Sequence, residues 1–260
     1  MRPLVEWQSR DIVGVFTDID DTLTTEGAIT SDALQAMAAL KTAGLHVIPI
    51  TGRPVGWSEP FAQSWPVDAI VAENGAVGLL HENGQPLRKI YQQDSATRAA
   101  NFARMQAVLT HIEQTIPGAQ RSQDSAGRET DIAIDHSEFT RLPADAIDAV
   151  VQAMQAAGMT ATVSSIHING WYGEHDKLAG ARWIVRELFG RELDAELDCW
   201  VYVGDSTNDQ VMFEHFAHSV GVANIRRFEA QLAHPPRYIT QGERGMGFAE
   251  LVAHLLKVCP

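Results

Sequence analysis

Three aspartates follow a short apolar segment near the beginning of the chain, in the stretch VFTDIDDTLT at residues 15–24. Asp18 and Asp20 flank Ile19, so at an extended strand end their side chains can point the same way. Two carboxylates about 4 Å apart repel by roughly 1 kcal/mol in water and by about 4 kcal/mol at an effective dielectric constant of 20. A cation would offset this repulsion, and the pair could then supply a nucleophile and a general acid/base. A surface turn rich in aspartate and a structural Ca²⁺ loop are the alternatives.

A second acidic cluster, Gly204-Asp205-Ser206-Thr207-Asn208-Asp209, follows another apolar segment late in the chain. Asp205 and Asp209 are four positions apart, about one helical turn. Oxygen ligands from two separate strand ends are suited to a partly hydrated Mg²⁺. Taken alone, Asp205 or Ser206 could instead cap the helix that follows.

A Thr-Gly-Arg motif and a single lysine are two further candidates. Thr51-Gly52-Arg53 offers a hydroxyl, an open backbone N–H and a guanidinium, which together suit phosphate oxygens, although a Gly-Arg-Pro turn is the simpler interpretation of this motif alone. Lys177 begins an amphipathic stretch, where a lysine is more often an ordinary solvated residue.

The predicted elements that carry these motifs alternate between strand and helix along the chain. Apolar segments at residues 12–17, 45–50, 69–72, 199–203 and 219–222 predict strands, and helical spacing after Thr30-Ser31-Asp32 predicts a helix that ends near Gly44. This order predicts an α/β fold with a doubly wound parallel sheet. Ligands bind such sheets outside the carboxyl ends of the strands, where each polar cluster falls.

Between residues 86 and 172 the order of elements changes. The pattern predicts strands at 88–92, 131–135 and 160–168 and helices at 96–116 and 144–157, an inserted α+β domain that divides a core formed by residues 1–85 and 173–260. His167 and Asn169 could face the active site from the last of these strands, but structural polar roles are the simpler expectation. Arg128, Glu129 and Thr130 are candidate contacts of the same kind.

The charge of the chain limits the classes of partner that are expected, and its cysteine content bears on its location. The chain has 260 residues, 45% of them hydrophobic, and 20 Lys+Arg against 33 Asp+Glu give a net charge of −13. This balance disfavours nucleic acid and anionic membranes as partners and favours a small molecule. Cys199 and Cys259 indicate neither a disulfide framework nor a metal cluster, and the N-terminus has no signal-like apolar region, so a cytoplasmic location is expected. The oligomeric state cannot be read from the sequence.

Together, Asp18-Ile19-Asp20-Asp21-Thr22, Thr51-Gly52-Arg53, Lys177 and Gly204-Asp205-Ser206-Thr207-Asn208-Asp209 resemble motifs one to four of the haloacid dehalogenase superfamily, in order. The insert resembles the large α/β cap of its Cof-like branch, which includes sugar phosphatases and phosphoglycolate phosphatases, and Val71-Ala72-Glu73-Asn74-Gly75 is similar to a segment of that branch. Position 21 departs from the pattern, because the family usually has Gly there, and the side chain of Asp21 is expected to point away from the site.

The resemblance implies a role for each matching residue. Asp18 would be the nucleophile, and Asp20 would protonate the leaving oxygen and then activate water. Thr51 and Lys177 would hold the phosphoryl oxygens, with Gly52, Arg53 and Asn208 as further candidates. Mg²⁺ would be bound by Asp18, the Asp20 backbone carbonyl and Asp205, with Asp209 in support.

These roles predict a Mg²⁺-dependent phosphatase that hydrolyses a small phosphate monoester, a sugar phosphate or a phosphorylated organic acid, through an aspartyl-phosphate intermediate. A phosphomutase of the same superfamily and a non-catalytic binding module for a phosphorylated metabolite are the alternatives.

Overall fold

The computed structural model describes residues 1–8, 11–81 and 85–258. In chain order its strands are β1 (Arg2–Pro3), β2 (Gly14–Thr17), β3 (Thr24–Thr25), β4 (Ala28–Ile29), β5 (His46–Pro49), β6 (Ile70–Ala72), β7 (Val77–Leu80), β8 (Arg88–Tyr91), β9 (Gln120–Arg121), β10 (Ile132–Asp135), β11 (Thr160–Val163), β12 (His167–Trp171), β13 (Trp200–Gly204), β14 (His218–Gly221) and β15 (Tyr238–Ile239). The helices are α1 (Ser31–Thr42), α2 (Val55–Ser64), α3 (Ser95–Thr115), α4 (Ala144–Ala156), α5 (Lys177–Phe189), α6 (Gln210–His215) and α7 (Arg244–Val258).

A six-stranded sheet in the order β1-β15-β14-β13-β2-β5 forms the centre of the molecule. Every pairing in it is parallel. The adjacent strands β13 and β2 are the ones followed by the acidic clusters, so the order of the strands places those clusters side by side. The predicted parallel sheet is confirmed.

Both faces of this sheet are covered, as the nearly continuous apolar strands predict. Val15 and Val201 point into one apolar layer with residues of α1 and α7, including Met37 and Phe248. Their neighbours Phe16 and Tyr202 point into the opposite layer, where α5 and α6 pack. Alternate residues of each strand therefore anchor opposite layers, and the strand ends are held rigidly between them.

A small antiparallel sheet, β6-β7-β8, extends the core at the β5 side, where Ile50 bridges to Val71. The strand at 88–92 was expected to belong to the insert. It pairs instead with Val77–Leu80. The predicted boundary at residue 86 remains a prediction, and this pairing favours a later one.

Within residues 95–171, α3 and α4 pack on a four-stranded sheet of order β11-β12-β10-β9 around an apolar core of their own. The prediction of a single strand at 160–168 is wrong, because the chain turns between β11 and β12 and these two strands pair antiparallel. The Ser164 hydroxyl accepts hydrogen bonds from the backbone of Ile166 and His167, and this side-chain turn breaks the apolar pattern that suggested one strand.

The residues expected to cap the start of α1 fulfil that role only in part. Thr30 occupies the position before α1 but forms no side-chain cap bond, while Asp32 accepts from the neighbouring Ala33 backbone.

Cys199 is a free, half-buried thiol, and Cys259 lies outside the described residues. Within the described ranges, no helix is both long and apolar enough to span a bilayer.

Candidate active site

The adjacent strands β2 and β13 bring Asp18 and Asp205 together at one edge of the sheet. The Asp18 backbone N–H donates to the Val203 carbonyl at 2.9 Å, which continues the strand pairing to the first residue of the acidic cluster. One carboxylate oxygen from each of Asp18, Asp205 and Asp209 lies within 4.8 Å of the others, and all three side chains are buried. Such a convergence of negative charge requires cations.

Asp209 is held beneath the loop that follows β13. Its Oδ2 accepts hydrogen bonds from the backbone N–H groups of Asp205 (2.9 Å) and Ser206 (3.1 Å). A Cβ at Gly204 would lie 2.4 Å from this oxygen, so only glycine allows the approach. Ser206 and Asp209 also form a capping box, so the helix-cap interpretation of this motif is correct alongside its place in the acidic cluster.

Lys177 supplies the cation at the centre of the acidic cluster. It is the first residue of α5, whose N-cap Asp176 accepts from the Ala179 backbone, and its side chain is only 2% exposed. Its Nζ lies 2.7 Å from Asp18 Oδ1 and 2.6 Å from Asp209 Oδ1. Lys177 is therefore not the solvated lysine that a single position in the sequence would suggest.

Burial and mutual repulsion alter the protonation of this cluster. Burial raises the pKa of Asp18 to about 7 although Lys177 opposes the shift, and burial with the charges of Asp18 and Asp209 raises the pKa of Asp205 well above its usual value. Burial disfavours the charge on Lys177, but Asp18 and Asp209 outweigh it and raise its pKa above the ordinary range. Lys177 contacts two of the three carboxyl groups and Arg227 contacts the third, Asp205, so the cluster has fewer cations than carboxyl groups.

The fit of this cluster to a divalent cation can be judged from Asp205. Its Oδ2 accepts hydrogen bonds from Asn224 Nδ2 (3.0 Å) and Arg227 Nη2 (3.1 Å). Its Oδ1 is buried and has no hydrogen-bond partner among the described residues. A buried carboxylate oxygen without a partner, beside the other two carboxylates, is the kind of hard ligand that Mg²⁺ uses.

Asp20 turns to a different cation from Asp18. Arg53 Nε and Nη2 approach both oxygens of Asp20 at 2.9–3.0 Å. The same guanidinium reaches Glu138 (2.7 Å) and Asp124 (3.2 Å), both in the insert. Arg53 thus contacts three carboxylates. The sequence predicted a phosphate ligand at this position and did not predict these ion pairs. The part of Arg53 in phosphate binding remains a prediction.

Asp21 occupies the position where the resembling family usually has glycine. Its φ of 55° lies in the left-handed region, which explains why glycine suits this position and why aspartate is among the residues that tolerate it. The side chain was expected to point away from the site. It contacts Arg227 (2.8 Å) and Arg244 (3.0 Å), and the former also contacts Asp205.

The remaining phosphate candidates lie at two neighbouring loops. Thr51 is fully buried, and its Oγ1 accepts from the Arg53 backbone at 3.0 Å. The Gly52 carbonyl accepts from Arg128 (3.0 Å) and Asn169 (3.3 Å) of the insert. Asn208 accepts from the Ser206 hydroxyl at 2.8 Å, and both Asn208 and Lys177 line a cavity of about 810 Å³.

Glu73 joins the core to the insert from the segment between β6 and β7. Its carboxylate accepts from the Val55 backbone at the start of α2, from the Glu129 backbone and from both the backbone and the hydroxyl of Thr130. Burial raises the pKa of Glu73 to about 7, while the hydrogen bonds from Thr130 and Val55 oppose the shift. These contacts, and the hydrogen bond from Arg128 to the Gly52 carbonyl, hold the 128–130 loop of the insert against the core.

Comparison with known proteins agrees with this arrangement. Residues 15–117 match the family model described as haloacid dehalogenase-like hydrolase. The resemblance to haloacid dehalogenase-like hydrolases is confirmed. No curated protein matches the sequence.

Several solved structures superpose on nearly the whole chain at low sequence identity. A Thermoplasma acidophilum protein superposes with a TM-score of 0.71 at 16% identity, covering 94% of this chain and 98% of its own. The sucrose-phosphatase of Synechocystis, solved with sucrose and phosphate, gives 0.66 at 16% identity (95% and 98%). A subclass IIB sugar phosphatase gives 0.63 at 16% identity (93% and 98%). At this identity the likeness establishes the fold, a haloacid dehalogenase-like core with an inserted cap.

Sequence reasoning brought Asp18, Lys177, Asp205 and Asp209 of the haloacid dehalogenase-like motifs to one place, and the structure has them in contact. It missed Tyr202, whose hydroxyl donates to Asp209 at 2.5 Å. Asn224 and Arg227 were also missed, although Asn224 is the first amide-bearing residue after the strand expected at 219–222 and could have been found by its place at a strand end.

Two residues regarded as simple structural polar groups are buried at the boundary between insert and core. His167 Nε2 contacts Glu138 at 2.8 Å, and Asn169 contacts Asp131 at 2.9 Å as well as the Gly52 carbonyl. Both side chains are thus occupied by protein partners, as expected for structural polar residues.

Proposed function

We propose that this protein is a Mg²⁺-dependent phosphatase that hydrolyses a small phosphate monoester through an aspartyl-phosphate intermediate on Asp18. The observation that carries the proposal is the buried cluster in which Lys177 bridges Asp18 and Asp209 beside Asp205. The haloacid dehalogenase-like fold and its sugar phosphatase neighbours support the same class of reaction. A cytoplasmic location is proposed with it, on the cysteine content.

In the first step, an Asp18 oxygen attacks phosphorus and the bond between phosphorus and the leaving oxygen breaks. Lys177 contacts Oδ1 of Asp18, which leaves Oδ2 as the attacking oxygen. Asp20 gives a proton to the leaving oxygen, so the product departs as a neutral hydroxyl. Lys177 also offsets negative charge where an anionic carboxylate must meet an anionic phosphate.

In the second step, Asp20 takes a proton from water as the water oxygen attacks the phosphorus of the intermediate. The bond between phosphorus and Asp18 then breaks, which releases inorganic phosphate and restores both carboxyl groups. An insert held against the core at the 128–130 loop would limit the entry of molecules other than water that could accept the phosphoryl group.

Asp18, Asp205 and the Asp20 backbone carbonyl would hold Mg²⁺, with Asp209 beside them. When bound, the ion supplies positive charge that offsets the phosphoryl oxygens and the crowded carboxylates. Asp205 Oδ1, which is buried without a hydrogen-bond partner, is the atom that most clearly suits this role.

The test is phosphate release from a panel of sugar phosphates, phosphorylated organic acids and nucleotides, with Mg²⁺ and with EDTA. We expect Asp18→Asn to lower turnover by at least about 10³-fold, because the nucleophile is lost, without altering the circular dichroism spectrum. Asp194→Asn, an equivalent change at an exposed carboxylate, is the matched control and should keep wild-type activity.

Each other result has a definite meaning. Wild-type turnover by Asp18→Asn would remove Asp18 from the nucleophile role, and turnover unchanged by EDTA would refute the metal assignment. Isomerised phosphate ester in place of free phosphate would favour the phosphomutase, and the absence of any product would favour a binding module.

A further inference from the structure

A cavity of about 870 Å³ lies beside Asp20, between the loops after β2 and β5 and residues 136–142 of the insert. A second cavity, on the side of Lys177 and Asn208, meets it at His136. If Asp20 protonates the leaving oxygen, the departing group must occupy the cavity that Asp20 lines. Selection of the substrate therefore depends on the lining of this cavity.

The lining of the Asp20 cavity is strongly charged. It contains four arginines and four acids: Arg53, Arg141, Arg227, Arg244, Asp20, Asp21, Glu26 and Glu138. Most of the acids are already paired. Arg53 holds Asp20 and Glu138, and Asp21 is held by Arg227 and Arg244. Glu26 is exposed.

The arginines, by contrast, keep unused hydrogen-bond donors. A guanidinium has five N–H donors. Arg227 contacts its acids through Nη2 alone and Arg244 through Nε alone, within the described residues. Arg141 lies on the insert and is exposed, and its side chain forms no ion pair or hydrogen bond with any other described residue. An anion entering this cavity would meet free guanidinium N–H groups, while three of the four lining carboxylates, those of Asp20, Asp21 and Glu138, are already paired with arginine.

We propose that the leaving group of the substrate carries a second anionic group, a carboxylate or a further phosphate, which Arg141 binds together with the free donors of Arg227 and Arg244. This inference rests on the proposed phosphatase function and narrows its substrate class. Arg141 belongs to the insert and the other two arginines to the core, so the second anion would contact both sides of the cavity. Paired, forked contacts of this kind favour carboxylate and phosphate over neutral hydroxyls.

The experiment compares substrates that differ only in the second anion. 3-Phosphoglycerate is paired with glycerol 3-phosphate to test a carboxylate, and fructose 1,6-bisphosphate with fructose 6-phosphate to test a second phosphate. We expect the wild-type enzyme to prefer one anionic member by about tenfold or more in kcat/KM, the value of one hydrogen bond to a charged group. The pair that shows the preference identifies the anion.

Variants then assign the preference to Arg141. Arg141→Gln should lose most of it, chiefly through a higher KM for the anionic member, and Arg141→Lys should restore part of it. Arg226→Gln removes the same charge from an exposed arginine outside the cavity lining and should retain the preference.

Phosphate release without a preference in either pair, or a preference that survives Arg141→Gln, would overturn this inference and leave the phosphatase proposal standing. Equal loss in Arg141→Gln and Arg226→Gln would also overturn it, because general surface charge would then explain the selection. If no substrate in the full panel releases phosphate, the proposed function fails, and this inference fails with it.

Discussion

Arg53 joins the candidate general acid to the insert through a single side chain. Its guanidinium is 5% exposed and contacts Asp20 of the core and Asp124 and Glu138 of the insert, whose side chains are 14–17% exposed. Asp124 also contacts Arg128 and Glu138 also contacts His167, whereas among the described residues Asp20 pairs only with Arg53. Removing Arg53 would leave the three carboxylates close together and poorly solvated, and breaking a buried pair costs more than the pair contributes when intact.

Arg53→Gln should therefore lower the free energy of unfolding by about 3–5 kcal/mol. It should also lower kcat/KM, because Asp20 loses the partner that fixes its orientation. Urea unfolding of the wild-type and variant proteins measures the first effect, and phosphate release the second. Arg53→Lys keeps the charge but not the two-pronged contact, so it should recover stability better than activity.

Arg186→Gln is the control for this prediction, because Arg186 forms a similar pair with Glu192 on the surface. Exposed ion pairs contribute little, so its unfolding midpoint should stay close to that of the wild type. Equal stability of Arg53→Gln and Arg186→Gln would show that the buried cluster does not depend on Arg53.

Residues could be predicted from the sequence where their backbone position determines their neighbours. Asp18 and Asp205 follow adjacent parallel strands, so their meeting depends only on the order of the strands. The pairing of Arg53 with Asp20, Asp124 and Glu138 depends on the rotamer of a long side chain and on a contact between distant loops. No local pattern in the sequence specifies either of these.

Helix α5 places the only lysine of the acidic cluster among the described residues. Lys177 is its first residue, and Asp176 caps it by accepting from the Ala179 backbone at 2.7 Å. A cap of this kind fixes the first turn and therefore the direction in which Lys177 leaves the helix.

Asp176→Ala should lower the free energy of unfolding by about 1 kcal/mol, the usual value of an N-cap. It should also reduce kcat/KM, since Lys177 would be positioned less well, and Asp176→Ser should restore both. Thermal unfolding and phosphate release provide the two measurements. Asp94→Ala removes the N-cap of α3 in the insert and should leave kcat/KM unchanged. Full activity in Asp176→Ala would show that tertiary contacts alone place Lys177.

At this scale the sequence predicted many of the longer elements, but it gave no prediction for helices α2 and α7 or for the two-residue strands, and it did not specify which sheet each strand joins. Helices α3 and α4 and strand β10 lie within a residue or two of their expected bounds, because their apolar periods are long or regular. Strand β8 pairs with the core rather than the insert, and the pattern of a strand does not specify the sheet that it joins. The turn at Ser164 was missed because it contains neither glycine nor proline.

At the scale of the whole molecule, the short segment that leads from the end of β12 in the insert back to α5 in the core contains a buried histidine, His175. His175 stacks on Trp171 at the end of β12, with ring centroids 5.4 Å apart, and its carbonyl accepts from the Trp171 indole. Burial lowers the pKa of His175 to about 4, although the charge of Asp176 opposes the shift. The segment that leads from the insert back to Lys177 therefore depends on a neutral imidazole.

The sign of the resulting pH dependence follows from the lowered pKa. In the unfolded chain this histidine takes up a proton near its ordinary value of 6.5, whereas in the folded protein it remains neutral to about pH 4. Its contribution to stability is thus complete above pH 6.5 and is lost progressively as the pH falls toward 4, on the order of 3 kcal/mol over that range.

His175→Gln removes this proton uptake, so the difference in melting temperature between wild type and variant should shift in favour of the variant as the pH is lowered from 6.5 toward 4. Only the slope is predicted, because the loss of stacking on Trp171 affects the variant at every pH. The same change at His111, exposed on α3, should give a difference that is constant with pH. A constant difference for His175→Gln as well would mean that the imidazole is charged in the folded protein and that the junction is open to water.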